Sequence, residues 1–356
     1  MEEALNPSSP IYKLKRPWTE NQNSIWLAST VKLQRNIEKF KFPIKLDLER
    51  KKQIITLASK ELMAIDPLKN ASLQKAEEMT ALEKEYLVEH FLSSSSFHQA
   101  SNGEAFLIDN NGEFLICFNL SDHLSFLAID TSGDIESAWN QLVRIETKLG
   151  QNVSYAFSQK FGFTTSDPGK CGTGLTAAIY LQLSGLIHSE KLKECLEELS
   201  DDSIMVTGIQ GNPTEILGDI LVLQNNYTLG VTEENILSLL RSVSSKLIAE
   251  EKAARSNIAK SKNPEIMDKV SRAFAILRHS YQMEAIEALN AISLLKFGID
   301  IGWINGISAD ELNQLFFNCR RAHLQSQFKE KIVQLEVPHK RAEFIHQSLK
   351  NAKLLV

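Results

Sequence analysis

The spacing of apolar positions along the chain changes twice. Residues 46–64 and 73–92 carry apolar side chains at helical intervals: Ile54, Ile55, Leu57 and Leu62 in the first, Leu82, Tyr86, Leu87 and Phe91 in the second. Before them, residues 1–20 read as a tail. A mixed stretch from 22 to 42 ends in the basic and apolar run Lys39-Phe40-Lys41-Phe42-Pro43. The period then shortens. Residues 104–118 are apolar-rich on both sides of Asn111-Gly112, which predicts a hairpin. Further strands are expected at 124–129, 153–157, 175–183, 204–209 and 216–223, with a helix over 134–148 capped by Asp134. Helical spacing returns at 232–260, where Ile236, Leu240, Val243, Leu247, Ala254 and Ile258 form one stripe behind Thr232 as N-cap. Only helices follow, over 264–278, 283–297, 308–319, 324–335 and 340–354. Ser261-Lys262-Asn263-Pro264 marks the boundary, and Ser93 to Ser96 is the single low-complexity run.

This order predicts an α+β fold: an antiparallel sheet with helices on one face, followed by an all-helical C-terminal domain. The domains are a tail at 1–20, a unit at 21–260 (helical over 45–95, sheet-rich over 101–260) and the helical domain at 261–356. A length of 356 residues suits two or three packed units. Net charge is −5 with no long basic stretch, which argues against a nucleic-acid groove. There is no signal-like leader and no run of eighteen apolar residues, so a cytoplasmic protein off the membrane is expected. Cys117, Cys171, Cys195 and Cys319 are too scattered for a zinc site or a disulfide framework, and no metal is expected.

The chemistry centres on Phe161 to Leu175, where Gly162, Gly169, Gly172 and Gly174 flank Asp167-Pro168. Such a loop is either a structural turn or a backbone cradle for phosphate. Its spacing is not that of a Walker A motif. The stretch Asp167-Pro168-Gly169-Lys170-Cys171-Gly172-Thr173-Gly174-Leu175-Thr176-Ala177 resembles the Cys-Pro-Thr-Asn-x-Gly-Thr-Gly-Leu-Arg-Ala segment of the ATP:guanidino phosphotransferases, and most closely that of the bacterial protein-arginine kinases. Three more segments follow in the family's order. Ala28-Ser29-Thr30-Val31-Lys32-Leu33-Gln34-Arg35-Asn36-Ile37 resembles Ser-Ser-Arg-Ile-Arg-Leu-Ala-Arg-Asn-Leu. Asn119-Leu120-Ser121-Asp122-His123-Leu124-Ser125 resembles Asn-Glu-Glu-Asp-His-Leu-Arg, and Thr207-Gly208-Ile209-Gln210-Gly211-Asn212 resembles Arg-Gly-x-x-Gly-Glu. Gly298-Ile299-Asp300-Ile301-Gly302 and Ala322-His323-Leu324-Gln325 resemble the kinases' C-terminal extension, so the match spans about residues 22–345.

The resemblance implies a guanidino-kinase fold and a caged ATP. The five arginines of that cage correspond here to Thr30, Lys32, Ser125, Thr176 and Thr207. Only Lys32 is cationic, and lysine lacks the planar fork of arginine. The carboxylates that orient the guanidinium and take its proton correspond to Ser121 and Asn212, and the reactive cysteine to Asp167; Asp122 is the fallback base. Removing one arginine of this kind costs about 10³–10⁵ in rate and removing a base about 10²–10⁴. The expected result is an inactive relative, a pseudokinase that regulates or binds other proteins and has no cofactor. Two alternatives stay open. One is an active arginine phosphotransferase using ATP and Mg through Lys32, Lys170, Asp122 and Asp167; the other is an anion or phosphoarginine-peptide binder.

His123 and Asp122 read as local hydrogen-bonding residues, Cys171 as a small buried side chain, and Arg320-Arg321 as a solvated helix face. The kinases' phosphoarginine-sensing Arg-Asp-x-x-Arg-Ala corresponds to Val337-Pro338-His339-Lys340-Arg341-Ala342, which leaves Arg341 and Lys340 as candidate phosphoarginine contacts. By resemblance, a zinc-finger activator protein and a Clp-type unfoldase are the partners to expect, and a homodimer is compatible with the family.

Overall fold

The computed structural model describes residues 9–15, 23–93, 97–199, 201–328, 330 and 332–355; most of the expected tail and Ser94 to Ser96 lie outside them. In chain order the described elements begin with β1 (Trp26–Arg35), α1 (Leu48–Met63), β2 (Ser72–Lys75), α2 (Ala81–His90), β3 (Ala105–Ile108), β4 (Phe114–Phe118), β5 (Leu124–Asp130) and α3 (Ile135–Gly150). A small hairpin, β6 (Phe157–Ser158) and β7 (Gly162–Phe163), precedes β8 (Leu175–Gln182), α4 (Ser184–His188), α5 (Leu192–Glu198), β9 (Ile204–Gly208), β10 (Ile220–Asn225) and the long α6 (Glu233–Ser261). The C-terminal unit holds α7 (Pro264–His279), α8 (Ala285–Asp300), α9 (Ala309–Asn318), α10 (Arg321–Gln325) and α11 (Val337–Ser348).

Eight strands form one sheet in the order β2-β3-β4-β5-β1-β8-β10-β9. Every adjacent pair in it is antiparallel. Side chains alternate across a strand, so the sheet sorts its residues into two cores. Val31, Leu33, Leu107, Phe126 and Ile179 pack with α1, α3 and α6 on one face. Leu127, Ile129, Ala178, Tyr180 and Val222 share the other with α2, α7, α8 and α9. Helices therefore cover both faces, where the sequence pattern placed them on one. The C-terminal unit supplies the second layer.

The long elements fall where the apolar spacing put them, and the misplacements have local causes. The start of the helix expected at 73–92 is instead the edge strand β2, paired in register with β3. The helix begins only at Thr80, whose hydroxyl accepts from Glu83 N while the Glu83 carboxylate accepts from Thr80 N. The strand expected from 216 starts at Ile220, after a tight turn with Gly218 at φ 64°. Of 153–157 only Phe157 enters a strand. The helix expected at 324–335 is replaced by the short α10 and a later turn, and residues 329 and 331 fall outside the description. Ile11, placed in the tail, is buried in the core beside Tyr12, whose ring meets Tyr86 edge-on at 5.4 Å.

Buried polar contacts dock the C-terminal unit. Arg255 binds Glu251 at 2.5 Å and also binds Asp300, while Gln182 Nε2 donates to Ser293 Oγ at 2.6 Å. Lys296 donates to Asn313 Oδ1 at 2.6 Å. Burial pulls its ammonium down to about 7 against an ordinary 10.5. Between those values the unfolded chain binds the extra proton, so stability rises with pH; below about 7 the fold bears the full cost of a buried charge. Lys296→Met should therefore stabilise the protein by about 1–4 kcal/mol at pH 6. In urea titrations the gap to the wild type should close toward pH 10. A gap independent of pH would contradict the buried charge.

Candidate active site

The sheet register assembles the positions that the motifs scatter. Lys32 lies opposite Leu127 on β5 and Thr176 on β8, and Thr30 opposite Ile129 and Ala178. Gln34 faces Ser125, and Thr207 is aligned with Val222, which is aligned with Tyr180. By the alternation of strand side chains, Thr30, Lys32, Ser125, Thr176 and Thr207 all stand on one face. Their environments differ. Lys32 and Ser125 line a cavity of about 360 Å³ together with Phe97, Gln99, Glu104 and Ser121. Burial lowers the Lys32 pKa; the nearby Cys117 and Asp122 oppose that, and the charge of Lys170 adds to it. Thr30 is 7% exposed and close to the Tyr180 phenol, which donates to Leu92 O at 2.9 Å. Thr207 is likewise buried.

The acid and base positions do not form a catalytic set. Ser121 is exposed at the cavity mouth. Asn212 sits on the β9–β10 turn, where its Oδ1 accepts from Thr214 N at 3.0 Å and Thr214 Oγ1 at 2.9 Å. Asp167 is exposed and accepts from Gly169 N at 2.9 Å, capping the turn that follows it. Asp122 is 1% exposed, and both its oxygens are engaged. Oδ1 accepts from Asn36 Nδ2 and Ser166 N, each at 2.6 Å. Oδ2 accepts from Gln34 Nε2 at 2.6 Å and from Ser121 Oγ at 3.4 Å. It is a junction between β1, the turn before β5 and the Gly-rich loop. His123 works beside it: Nδ1 accepts from Ile37 N at 2.9 Å, so Nε2 carries the hydrogen and donates to Lys41 O at 2.8 Å. Burial holds its pKa down, in keeping with that neutral ring.

The Gly-rich loop is fixed by close packing. A Cβ on Gly172, at φ 106°, would lie 2.1 Å from Thr228 O, so only glycine fits. Arg35 holds the loop from beneath. Its Nε binds Glu146 at 2.6 Å and its Nη1 donates to Gln34 O and Thr173 O, both at 2.9 Å. The guanidinium lies 3.5 Å from the centre of the Phe163 ring. This clamp was hidden in the sequence, because its carboxylate comes from α3, 111 residues away. Cys171 is half-buried and accepts from Thr165 N at 3.5 Å, as a small packed side chain would.

The C-terminal candidates are not brought together. Arg341 is buried and donates to Cys319 O and Met283 O, both at 2.7 Å. Lys340 pairs with Glu343 at 2.8 Å on the surface, and His339 Nε2 approaches the same carboxylate at 3.2 Å. Arg320 belongs to a domain contact, which corrects its reading as part of a solvated face, while Arg321 stays exposed as expected. Arg321 pairs with Glu85 at 3.3 Å, and Arg320 donates to Glu89 O at 3.2 Å. The Glu89 carboxylate accepts from Ala322 N and His323 N at the start of α10 and contacts His323 Nδ1 at 2.7 Å. Among the described residues, no group of three His, Cys, Asp or Glu could hold a metal, and no helix is long and apolar enough to cross a membrane.

The same architecture occurs in known proteins. Residues 53–254 match the family described as ATP:guanido phosphotransferase, C-terminal catalytic domain, and residues 263–354 match the protein-arginine kinase McsB C-terminal domain. A protein-arginine kinase of Chlamydia pneumoniae is 34% identical over 88% of this chain and 87% of its own length. One of Halothermothrix orenii is 32% identical over 91% of this chain and 93% of its own. The crystal structure of lombricine kinase superposes with a TM-score of 0.58 at 19% identity, covering 72% of each chain, and so shares the fold.

Proposed function

The chain belongs to the protein-arginine kinase family of ATP:guanido phosphotransferases, and from that premise we propose that it keeps the family scaffold for a binding and regulatory role without phosphoryl transfer. The observation that carries this reading is the composition of the assembled face. Five positions converge on it with Lys32 as their one cation, and Thr30 is closed off beneath Tyr180 and Leu92. A triphosphate placed there would meet too little positive charge, and a reaction that works by positioning and charge stabilisation would lose its main support. These residues do not fit Mg-ATP. Protein contact is then the mode of action, with a zinc-finger activator and a Clp-type unfoldase as first partners to try.

A second reading is favoured by the comparisons, since the relatives spanning most of this chain are named as arginine kinases. It asks Lys32, Lys170, Asp122 and Asp167 to take over the chemistry. The full hydrogen-bonding of Asp122 and the capping role of Asp167 weigh against it. Two measurements decide between the readings. Calorimetric titration with Mg-ATP should give no saturable heat at millimolar nucleotide, and a protein substrate should gain no arginine phosphate. Turnover would overturn the first reading and establish the second.

A further inference from the structure

The basic and apolar run between β1 and α1 is an anchored projection. Its base is pinned: Ile37 N donates to His123 Nδ1 at 2.9 Å, Glu38 N donates to Ser154 O at 3.0 Å, and Lys41 O accepts from His123 Nε2 at 2.8 Å. Pro43 is buried, and the Phe40 ring meets His123 edge-on at 6.0 Å. The tip is in water. Ile44 is 90% exposed and Phe42 36%, and Lys39, Lys41 and Lys45 are exposed on either side of them. Residues 39–45 thus hold three lysines, no carboxylate and two solvent-facing apolar anchors.

The opposite chemistry lies at the other end of the sheet. An open groove of about 530 Å³ runs along α4, α5 and the approach to β10, walled by Ile187, Leu192, Leu196 and Ile216. Glu190 and Glu197 stand on its rim with Lys193, which meets Glu197 at 3.8 Å at the surface. Residues 190–202 carry six carboxylates against two lysines, a net of −4. That field is felt at Cys195 on α5, whose thiol is pushed up by burial and then by Glu250, Glu198 and Glu194. The two surfaces are far apart on one chain. β1 and β8 are antiparallel, with Trp26 opposite Leu181 and Leu33 opposite Leu175. The loop leaves the Arg35 end of β1, whereas α4 and α5 follow the Gln182 end of β8, beside Trp26. The strand between those ends is 10 residues long, roughly 30 Å, so a chain does not fill its own groove with its own loop.

We propose that the 39–45 loop of one copy docks in the α4–α5 groove of a second copy, with Ile44 and Phe42 in the apolar trough and the lysines against its carboxylate rim. Each copy offers one loop and one groove, so the contact is heterologous and assembly runs head to tail. The footprint is a single turn of chain, smaller than a standard interface, so the affinity is modest. The contact does not depend on whether the chain turns over ATP.

Sedimentation velocity on the full chain, from about 1 to 500 μM, should show self-association with a dissociation constant on the order of 100 μM. Ile44→Asp should weaken it about tenfold or more, through loss of one buried apolar anchor. Reversing the loop (Lys41→Glu with Lys45→Glu) or the groove (Glu190→Lys with Glu197→Lys) should abolish association of either variant alone. Mixed in equal amounts, the two reversed variants should associate again, because each reversed loop meets a reversed groove. All five substituted side chains are exposed, so the fold tolerates the changes. A wild type that stays monomeric throughout that range, an Ile44→Asp variant that associates like the parent, or a mixture that stays dissociated would overturn the proposal.

Discussion

Arg35→Leu should cost the fold about 3–5 kcal/mol, because it strands the buried Glu146 carboxylate without its partner. The loss has three parts: the ion pair, two donors to backbone carbonyls of β1 and the Gly-rich loop, and the face of the Phe163 ring. Urea denaturation checks the magnitude. The double variant Arg35→Leu with Glu146→Leu should recover part of the loss, since an apolar pair of similar volume often replaces a buried ion pair at little cost. A single-variant loss below about 1 kcal/mol, the worth of an exposed pair, would show that the clamp is not what holds the loop.

Asp122→Ala should also destabilise the fold, by a different route. It takes an acceptor from Gln34 Nε2, Asn36 Nδ2 and Ser166 N; Asn36 Nδ2 keeps Thr164 O at 3.0 Å, and Ser166 lies at the surface. Each buried unsatisfied donor costs about 1–3 kcal/mol, so the stranded Gln34 amide alone predicts a loss of about that size. Asp122→Asn should also destabilise, because its amide nitrogen cannot accept where Oδ1 or Oδ2 did. Denaturant midpoints of both variants against wild type give the answer. A catalytic base spared from structural duty would predict the reverse, with Asp122→Asn folding as stably as the parent. That outcome would revive Asp122 as a base.

The reach of the sequence can be judged at these residues. The motifs located Thr30, Lys32, Ser125, Thr176 and Thr207, and strand alternation then places them on one face. Their surroundings were not legible, because Tyr180 and Leu92 arrive through long-range packing that no local pattern encodes. The same holds for Asp122, whose donors come from β1 and the Gly-rich loop. Lys340 and Arg341 are adjacent in sequence and read as one basic patch, yet one is paired on the surface and the other is buried among backbone carbonyls. Neighbours along a helix do not face the same way. The late start of α2 was legible in Thr80 and Glu83, and was masked by the apolar spacing of the residues around them.

The core beneath Tyr180 has one more consequence. It runs from the sheet through α2 into α7, α8 and α9, with the buried Gln182–Ser293 and Arg255–Asp300 contacts set into the same junction. A molecule built this way has no natural cleavage plane between its two family-matched parts. Heating should melt them in one cooperative event, and neither half, cut free of the other, would have anything to cover its exposed oily side. The helical unit is in this sense less an appendage than a wall of the same room.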